Sequence, residues 1–216
     1  MVSKAAEKKL LAYKTIKEKI LNGELKPLGD ISEEALMKEF GISRTPIRES
    51  IQRLEKEGFV YIYPRKGTIV ADITLDLIHQ IYETRFLVEP YMSKSICGRL
   101  DREWLEDIKK RFLVDLTQMD KKEQVKYYTN LDRELHEAIL DKVENRFVKQ
   151  LMINITDHNQ RIRIKTAEDN TFYIDEIAGH VEIIDAYLAE DPERIEKALI
   201  AHLEASKRYT LKYFIK

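Results

Sequence analysis

Three histidines and one aspartate in the second half of the chain could share a metal ion. Asp132 and His136 are spaced i, i+4 in a predicted helix, so both side chains project from one face. His180 and His202 each lie on the apolar stripe of another predicted helix. One divalent cation would give all four residues the partner that a buried imidazole or carboxylate needs. Four unrelated core residues with separate hydrogen-bond partners would produce the same pattern.

A second candidate site lies near the start of the chain and is basic. Arg44 and Arg48 are spaced i, i+4 at the start of a predicted helix, and Ser43 and Thr45 flank Arg44. Guanidinium groups bind phosphates or, through two hydrogen bonds, the O6 and N7 atoms of guanine, and hydroxyl groups add phosphate contacts. The pattern points to nucleic-acid binding, although two arginines near a helix start are also an ordinary feature of a solvated surface.

The elements that must position this basic pair are three predicted helices and a hairpin. The helices cover residues 3–21, 31–40 and about 43–57; Ser32 can cap the second, which Gly41 ends. Residues 59–63 and 68–71 read as a hairpin whose turn contains Arg65, Lys66 and Gly67. This order predicts a winged helix-turn-helix in residues 1–72, with the third helix entering a DNA major groove.

Residues 73–216 are predicted to form an all-α bundle. About six long amphipathic helices are expected, over residues 74–97, 101–119, 123–142, 146–165, 172–189 and 192–214. Pro90 lies inside the first of them and should kink it. Ligand sites in such bundles lie between facing helices, which suits the histidines and the aspartate. The fold class is therefore mainly α, with a winged helix-turn-helix followed by a helical bundle.

Composition excludes several classes of protein. The chain has 216 residues and one cysteine, so a secreted scaffold held by intrachain disulfides is excluded. No stretch approaches the roughly 18 consecutive apolar residues of a membrane span. Residues 1–72 contain 14 Lys+Arg and 11 Asp+Glu, a balance of +3, which leaves 23 and 27, a balance of −4, for the remainder. We therefore expect a cytoplasmic protein whose N-terminal part is the more basic one.

The segment from Gly41 to Gly58, followed by Phe59-Val60 and by residues 64–68, resembles the DNA-binding domain of GntR-type bacterial transcription regulators. The resemblance covers residues 13–72 and includes the helix entry, the arginine pair and the wing in register. It implies that Arg44, Thr45 and Arg48 are the recognition-helix contacts with operator DNA and that Gly67 is the wing-tip approach. Ser43, Arg65 and Lys66 join these candidates because of their side-chain chemistry and position. One departure is Leu28, which stands where the family usually has glycine in the turn before the second helix.

Residues 132–136, 180–192 and 198–202 resemble the FCD effector domain of the FadR branch of GntR regulators. In many such domains an aspartate and three histidines bind a divalent metal, and the resemblance assigns these ligands to Asp132, His136, His180 and His202. Nitrogen and carboxylate ligands suit Zn, Ni, Mn or Fe, and the sequence does not choose among them. Four protein ligands leave open positions on an octahedral metal, which in the family accept water or a small carboxylate effector.

Two further arginines are candidate effector contacts. Arg85 matches a family arginine that often faces the metal pocket and could pair with an effector carboxylate. Arg161 and Arg163 follow on another predicted helix, where only one of them can point inward; a solvated basic face is the more ordinary interpretation of each. We assign Arg161 as the second candidate. His79 and His158 lack a comparable pattern of partners and receive no role.

These observations predict a homodimeric transcription regulator that binds operator DNA and no membrane. A small carboxylate, bound at the metal, would control the affinity for the operator. A first alternative is that the metal is itself the signal. A second is a metal-dependent enzyme, since aspartate and histidine ligands with open metal positions also occur in hydrolytic and oxygen-using sites. The sequence offers no separate nucleophile or acid–base pair beside the metal residues, and catalysis would leave the DNA-reading part unexplained.

Overall fold

The computed structural model describes residues 4–166 and 173–215 and divides into two compact units, Met1–Thr74 and Leu75–Lys216. The boundary lies two residues after the predicted one. Across these described residues, we find no helix that is both long and apolar enough to cross a membrane. The mainly helical fold class predicted from the sequence is confirmed.

The N-terminal unit is a three-helix domain with a small antiparallel sheet. Its elements are α1 (Lys4–Leu21), β1 (Asp30–Ile31), α2 (Glu33–Phe40), α3 (Arg44–Lys56), β2 (Val60–Tyr63) and β3 (Gly67–Val70). The strand order is β1-β3-β2. Helix α1 packs on α3, and their apolar stripes meet the sheet around Ile16, Ile47, Leu54 and Phe59, all of which are fully buried. The helix-turn-helix and the wing are therefore held by one core.

Strand β1 is the main departure from the prediction for this unit. The periodic pattern assigned Ile31 to the second helix, but Asp30 and Ile31 pair with Ile69 and Thr68 of β3. Helix α2 begins only after Ser32, whose hydroxyl accepts a hydrogen bond from the amide of Ala35. A two-residue strand is too short to leave a periodic signal, so only tertiary pairing reveals it.

The turn before β1 has a left-handed backbone at Leu28, the position at which the family resemblance implies glycine. Its φ is 63°, a conformation that costs a non-glycine residue about 1–2 kcal/mol. Two hydrogen bonds join the turn to the wing: the Leu28 amide donates to the carbonyl of Val70 at 3.0 Å, and the Val70 amide donates to that of Gly29 at 2.9 Å. The sheet therefore imposes the glycine-like geometry on a leucine.

The C-terminal unit is an all-α bundle. Its helices are α4 (Leu75–Ser95), α5 (Arg102–Phe112), α6 (Lys121–Asp141), α7 (Arg146–Thr166), α8 (Tyr173–Leu188) and α9 (Pro192–Phe214). Helix α9 packs against both α4 and α8, while α5 packs against α6 and α8. The apolar stripe of α6, which includes Tyr128, Leu131 and Leu135, is buried. Residues that face inward from α6, α8 and α9 can therefore meet.

Two predicted helix limits need comment. Helix α5 ends at Phe112 rather than near residue 119, because Leu113 and Val114 are exposed and Asp115 accepts a hydrogen bond from the Thr117 amide in a turn. The predicted start at Phe172 lies outside the described residues.

Helix α4 continues through Pro90, which is buried. Cys97, the single cysteine, is partly buried.

Candidate metal centre and nucleic-acid interface

Four polar side chains converge inside the helical unit: Asp132 and His136 from α6, His180 from α8 and His202 from α9. The ligating nitrogens of the three histidines lie within 4.8 Å of one another, close enough to approach a single ion. Asp132 Oδ1 lies 2.8 Å from His180 Nε2 and 3.7 Å from His136 Nε2. The structure thus brings together the four residues that the sequence assigned as metal ligands.

The chemistry of this cluster fits a divalent cation. Asp132, which the Arg163 guanidinium contacts, is buried here, and in the described part of the chain the Nε2 atoms of His136 and His202 are also buried and form no hydrogen bond. Leaving a buried polar group without one costs about 1–3 kcal/mol. A cation bound by one carboxylate and three imidazoles would remove that cost, and this donor set suits transition metals.

Two imidazoles of the cluster, those of His136 and His202, are held in the neutral form that binds metal. Burial lowers the pKa of His136 to about 3, although the nearby Glu89 carboxylate works in the opposite direction. Burial also lowers the pKa of His202 far below its usual range, and the neighbouring His180 adds to the shift. A neutral ring keeps one nitrogen lone pair, so no proton has to leave before the metal binds at neutral pH.

Two neighbours hold His180 in place. Its ring stacks on Phe112 of α5, with centroids 5.1 Å apart and an interplanar angle of 7°. The Tyr128 hydroxyl lies 3.0 Å from His180 Nδ1. In the tautomer whose Nδ1–H donates to this hydroxyl, the lone pair of Nε2 faces the cluster.

Gly179 makes room for His202. A Cβ atom at this position of α8 would lie 3.1 Å from His202 Nδ1, closer than such contacts normally are. Glycine inside a helix costs about 1 kcal/mol relative to alanine, so its presence here has a packing reason. Gly179 was not among the residues predicted from the sequence, although a glycine inside a predicted helix and beside a candidate ligand was a usable signal.

Arg85 is buried and already paired. Its Nε donates to Glu89 Oε1 at 2.6 Å and its Nη2 to Glu89 Oε2 at 3.3 Å, while Nη1 donates to Asn159 Oδ1 at 3.1 Å. Burial alone would raise the pKa of Glu89, but the charge and hydrogen bonds of Arg85 outweigh it and lower that pKa. Glu89 and Asn159 were not among the residues predicted from the sequence; the i, i+4 spacing of Arg85 and Glu89 was the available signal.

The expectation of a solvated basic face at Arg161 and Arg163 is wrong. Both residues are buried, at 4% and 8% exposure. Side chains two positions apart on a helix point in directions that differ by about 200°. Since both are buried, other parts of the protein cover α7 on two opposite sides at this point. The Arg163 guanidinium contacts Asp132, whereas Arg161 Nη1 lies 3.5 Å from Nδ1 of His158. Arg163, rather than Arg161, is the α7 arginine that reaches the metal-ligand cluster.

A small cavity adjoins the cluster. It has a volume of about 20 Å³, enough for roughly one water molecule, and Arg85, Glu89, Asp132, His136 and Arg163 are among its lining residues. A ligand of several carbon atoms would fit only after a side chain in this lining moved.

The candidate DNA contacts of the N-terminal unit lie on its surface. Ser43, Arg44, Thr45 and Arg48 are exposed at the start of α3, and the wing exposes Arg65, Lys66 and Gly67. Ser43 occupies the N-cap position without capping through its side chain. At the wing tip, the Lys66 amide donates to the carbonyl of Tyr63 at 3.0 Å across a turn whose third residue, Arg65, has a φ of 64°.

The recognition-helix arginines face acidic residues of α2. Arg48 Nε donates to both Glu33 oxygens, at 3.1 and 3.0 Å. Arg44 forms longer ion pairs, with 3.7 Å from its Nε to Glu33 and 3.9 Å from its Nη2 to Glu34. The sequence showed that α2 is acidic at its start but not that these carboxylates meet the arginines.

Comparison with known proteins identifies both units. The bacterial regulatory protein GntR family matches residues 9–70, and the FCD domain family matches residues 80–205. The chain is 28% identical to the uncharacterized HTH-type transcriptional regulator YdhC of Bacillus subtilis, over 88% of this chain and 85% of that protein. It is 25% identical to the gluconate operon transcriptional repressor of the same organism, over 85% of this chain and 77% of that protein.

A solved structure agrees at the level of the fold. A putative GntR transcriptional regulator from Rhodococcus sp. RHA1 superposes with a TM-score of 0.79 at 18% identity, covering 95% of this chain and 98% of the other. The matching families and relatives are transcription regulators, which confirms the expectation of a regulator rather than an enzyme.

Proposed function

Since this chain belongs to the GntR family of bacterial transcription regulators and carries an FCD domain, we propose that it is a repressor whose operator affinity a small carboxylate controls. DNA binding and transcription regulation follow from the family itself. The proposal concerns the signal: a carboxylate metabolite that binds beside a divalent metal in the helical unit. Acting on operator DNA, the protein would work in the cytoplasm.

The observation that carries this proposal is the convergence of one carboxylate and three imidazoles in the bundle interior. Asp132, His136, His180 and His202 would hold the metal, and the nitrogen and carboxylate ligands suit Zn, Ni, Mn or Fe. When bound, the metal would supply open coordination positions for carboxylate oxygens. Tyr128 and Phe112 would orient the His180 ring, and Gly179 would leave the His202 ring its space.

Arginines beside the cluster would sense the carboxylate. Arg163 contacts Asp132, and Arg85 is bound by Glu89, so an incoming carboxylate competes with internal carboxylates for both guanidinium groups. Because the adjoining cavity is so small, this exchange moves side chains of α4 or α7. Arg161, which is buried on α7, would affect carboxylate binding only indirectly, through the packing of that helix. The named role of one relative, repression of a gluconate operon, concerns a carboxylate and is consistent with this class of signal.

We also propose that the protein acts as a homodimer. Operators read by such domains are commonly two-fold, because each half-site takes one recognition helix. The helical unit exposes Leu87 and Tyr91 on α4 and Phe147 and Leu151 on α7, four large apolar side chains that a second copy could cover. An effector that shifts these helices would change the spacing of the two DNA-reading units.

The alternative that the metal itself is the signal rests on the same cluster and makes a different prediction. Operator binding would then follow the free metal concentration and ignore carboxylates. The experiment that separates the two is a thermal-denaturation screen of metal-loaded protein and chelator-stripped protein against small carboxylates. If our proposal is correct, one carboxylate raises the melting temperature of the metal-loaded form alone and weakens operator binding.

The control for this experiment uses two histidine variants. His202→Ala removes a proposed ligand, whereas His79→Ala changes an exposed histidine of α4 outside the cluster. We expect His202→Ala to lose both bound metal and the carboxylate response, and His79→Ala to keep them. A carboxylate response that survives in His202→Ala would overturn the proposed site. If no carboxylate acts but metal alone switches operator binding, the metal-sensing alternative is correct.

A further inference from the structure

We infer that Glu33 is a specificity-determining residue for DNA reading, because it occupies the Nε side of Arg48 and leaves the Nη side for a base. Within the described residues, the hydrogen bonds of Arg48 come from Nε alone, at 3.1 and 3.0 Å to the Glu33 oxygens. A guanidinium also offers its two Nη groups, which can grip the O6 and N7 atoms of guanine. This inference rests on the proposed role of α3 in binding an operator.

The position of Glu33 suits this role better than that of its neighbour. Glu33 is the first residue of α2, its side chain is 28% exposed, and it approaches both Arg48 and Arg44. Glu34 is 85% exposed and reaches only Arg44, at 3.9 Å. Glu33 therefore lies between the two arginines, whereas Glu34 lies mainly in solvent. The amino end of α2 also favours a carboxylate at this place.

The charge arrangement explains how such a contact raises specificity. Phosphates attract any free cation whatever the sequence of the DNA, and each neutralised phosphate adds to sequence-independent affinity. At the start of α3, the carboxylates of Glu33 and Glu34 balance the charges of Arg44 and Arg48. Binding to random DNA then depends more on the wing, where Arg65 and Lys66 are exposed. The hydrogen bonds between the Nη groups of Arg48 and a matching base still form, so the sequence-dependent part of the binding energy is kept.

The contact also limits the motion of a long side chain. An unrestrained arginine on an exposed helix face can turn toward either a base or a phosphate. With its Nε bonded to both Glu33 oxygens, the Arg48 guanidinium is oriented before DNA arrives, which lowers the entropic cost of a two-bond contact. Glu33 thus acts as a positioning residue that works through Arg48.

The test compares Glu33→Gln with Glu34→Gln, which remove the same charge one residue apart. The operator probe is the duplex that the full-length wild-type protein enriches from a random library, and the reference is a shuffled duplex of equal composition. Dissociation constants for both duplexes are measured by fluorescence anisotropy between about 50 and 200 mM salt. Circular dichroism and melting temperature establish that each variant is folded.

We expect Glu33→Gln to bind the shuffled duplex more tightly, to steepen the salt dependence by about one unit, and to narrow the operator-to-shuffled affinity ratio about tenfold. Glu34→Gln should change that ratio less than about twofold. An unchanged ratio in Glu33→Gln, or equal effects of both variants, overturns the inference. In an Arg48→Ala background the effect of Glu33→Gln on the ratio should shrink to the smaller part that the longer contact with Arg44 carries, and an undiminished effect would likewise overturn the inference.

Failure of this inference differs from failure of the proposed function. If the wild-type protein enriches no duplex from the library, the DNA-binding role proposed for α3 and the wing is wrong. If it enriches one and Glu33→Gln keeps the full affinity ratio, only the role of Glu33 is wrong.

Discussion

Replacing Gly179 by alanine should strengthen its helix and weaken the metal site at the same time. Alanine in a helix interior is worth about 1 kcal/mol more than glycine, so backbone propensity alone predicts a more stable protein. The added methyl group would lie 3.1 Å from His202 Nδ1, and the ring has to move by a few tenths of an ångström to accept it. Metal–ligand distances tolerate about 0.2 Å, so a shift of that size matters for binding.

The expected size of the effect follows from mass action. Changes beside a ligand typically weaken metal binding by about 10- to 100-fold. At saturating metal this removes roughly 1.4–2.7 kcal/mol of metal-dependent stability. For a chain of this length, the metal-induced rise in melting temperature should then be smaller by roughly 3–10 °C. The metal-free variant should melt at the wild-type temperature or slightly above it.

The assay is a pair of measurements on wild type and Gly179→Ala: metal affinity by competition with a chromophoric chelator, and melting temperature with and without metal. His202→Ala provides the background in which the steric conflict is absent, and there Gly179→Ala should only stabilise, by up to about 1 kcal/mol. If Gly179→Ala binds metal with wild-type affinity, the reasoning that assigns this glycine to the His202 ring is refuted.

Three further predictions concern the N-terminal unit. Leu28→Gly should raise its free energy of unfolding by about 0.5–1 kcal/mol in urea denaturation, since relief of the left-handed strain exceeds the entropic cost of glycine; destabilisation would show that the leucine side chain matters more. Arg65→Gly should stabilise the wing turn similarly but lower the salt dependence of DNA binding by about one unit, and unaltered DNA binding would remove the wing from the interface. Burial alone would raise the pKa of Glu57, but the hydrogen bonds donated by Tyr13 and Lys17 outweigh this effect, so the pKa is lowered. The ionised carboxylate therefore stabilises the fold at pH values above the ordinary pKa of glutamate, and this contribution is lost as the pH falls through the lowered pKa. Glu57→Gln should therefore cost about 1 kcal/mol at pH 7 and little at acid pH in thermal melts; an equal deficit at both would contradict this.

Helical periodicity was sufficient to predict most elements of the fold. The stripes of α6, α8 and α9 also indicated that Asp132, His136, His180 and His202 face inward, because apolar neighbours at i+3 and i+4 mark the buried side of a helix. That the four meet at one point depends on how the helices pack, and the predicted metal set needed a family resemblance to connect them.

The features that sequence reasoning missed are contacts between elements or elements without a period. Strand β1 is two residues long, and its pairing with β3 is tertiary. The burial of both Arg161 and Arg163 contradicts the amphipathic pattern of an ordinary helix, since α7 is covered on opposite sides. The contact between Arg48 and Glu33 joins residues 15 positions apart on different helices, so neither helix alone predicts it.

The paired charges around the metal-ligand cluster have an electrostatic consequence for the choice of ligand. Arg85 with Glu89 and Arg163 with Asp132 form two nearly closed pairs whose charges cancel in the bundle interior. A divalent cation held by this cluster would add an excess of two positive charges where the dielectric response is weak. An anion cancels that excess, whereas an uncharged sugar or alcohol of the same shape does not. The negative charge of a ligand would therefore matter more for binding at this site than the shape of its carbon skeleton.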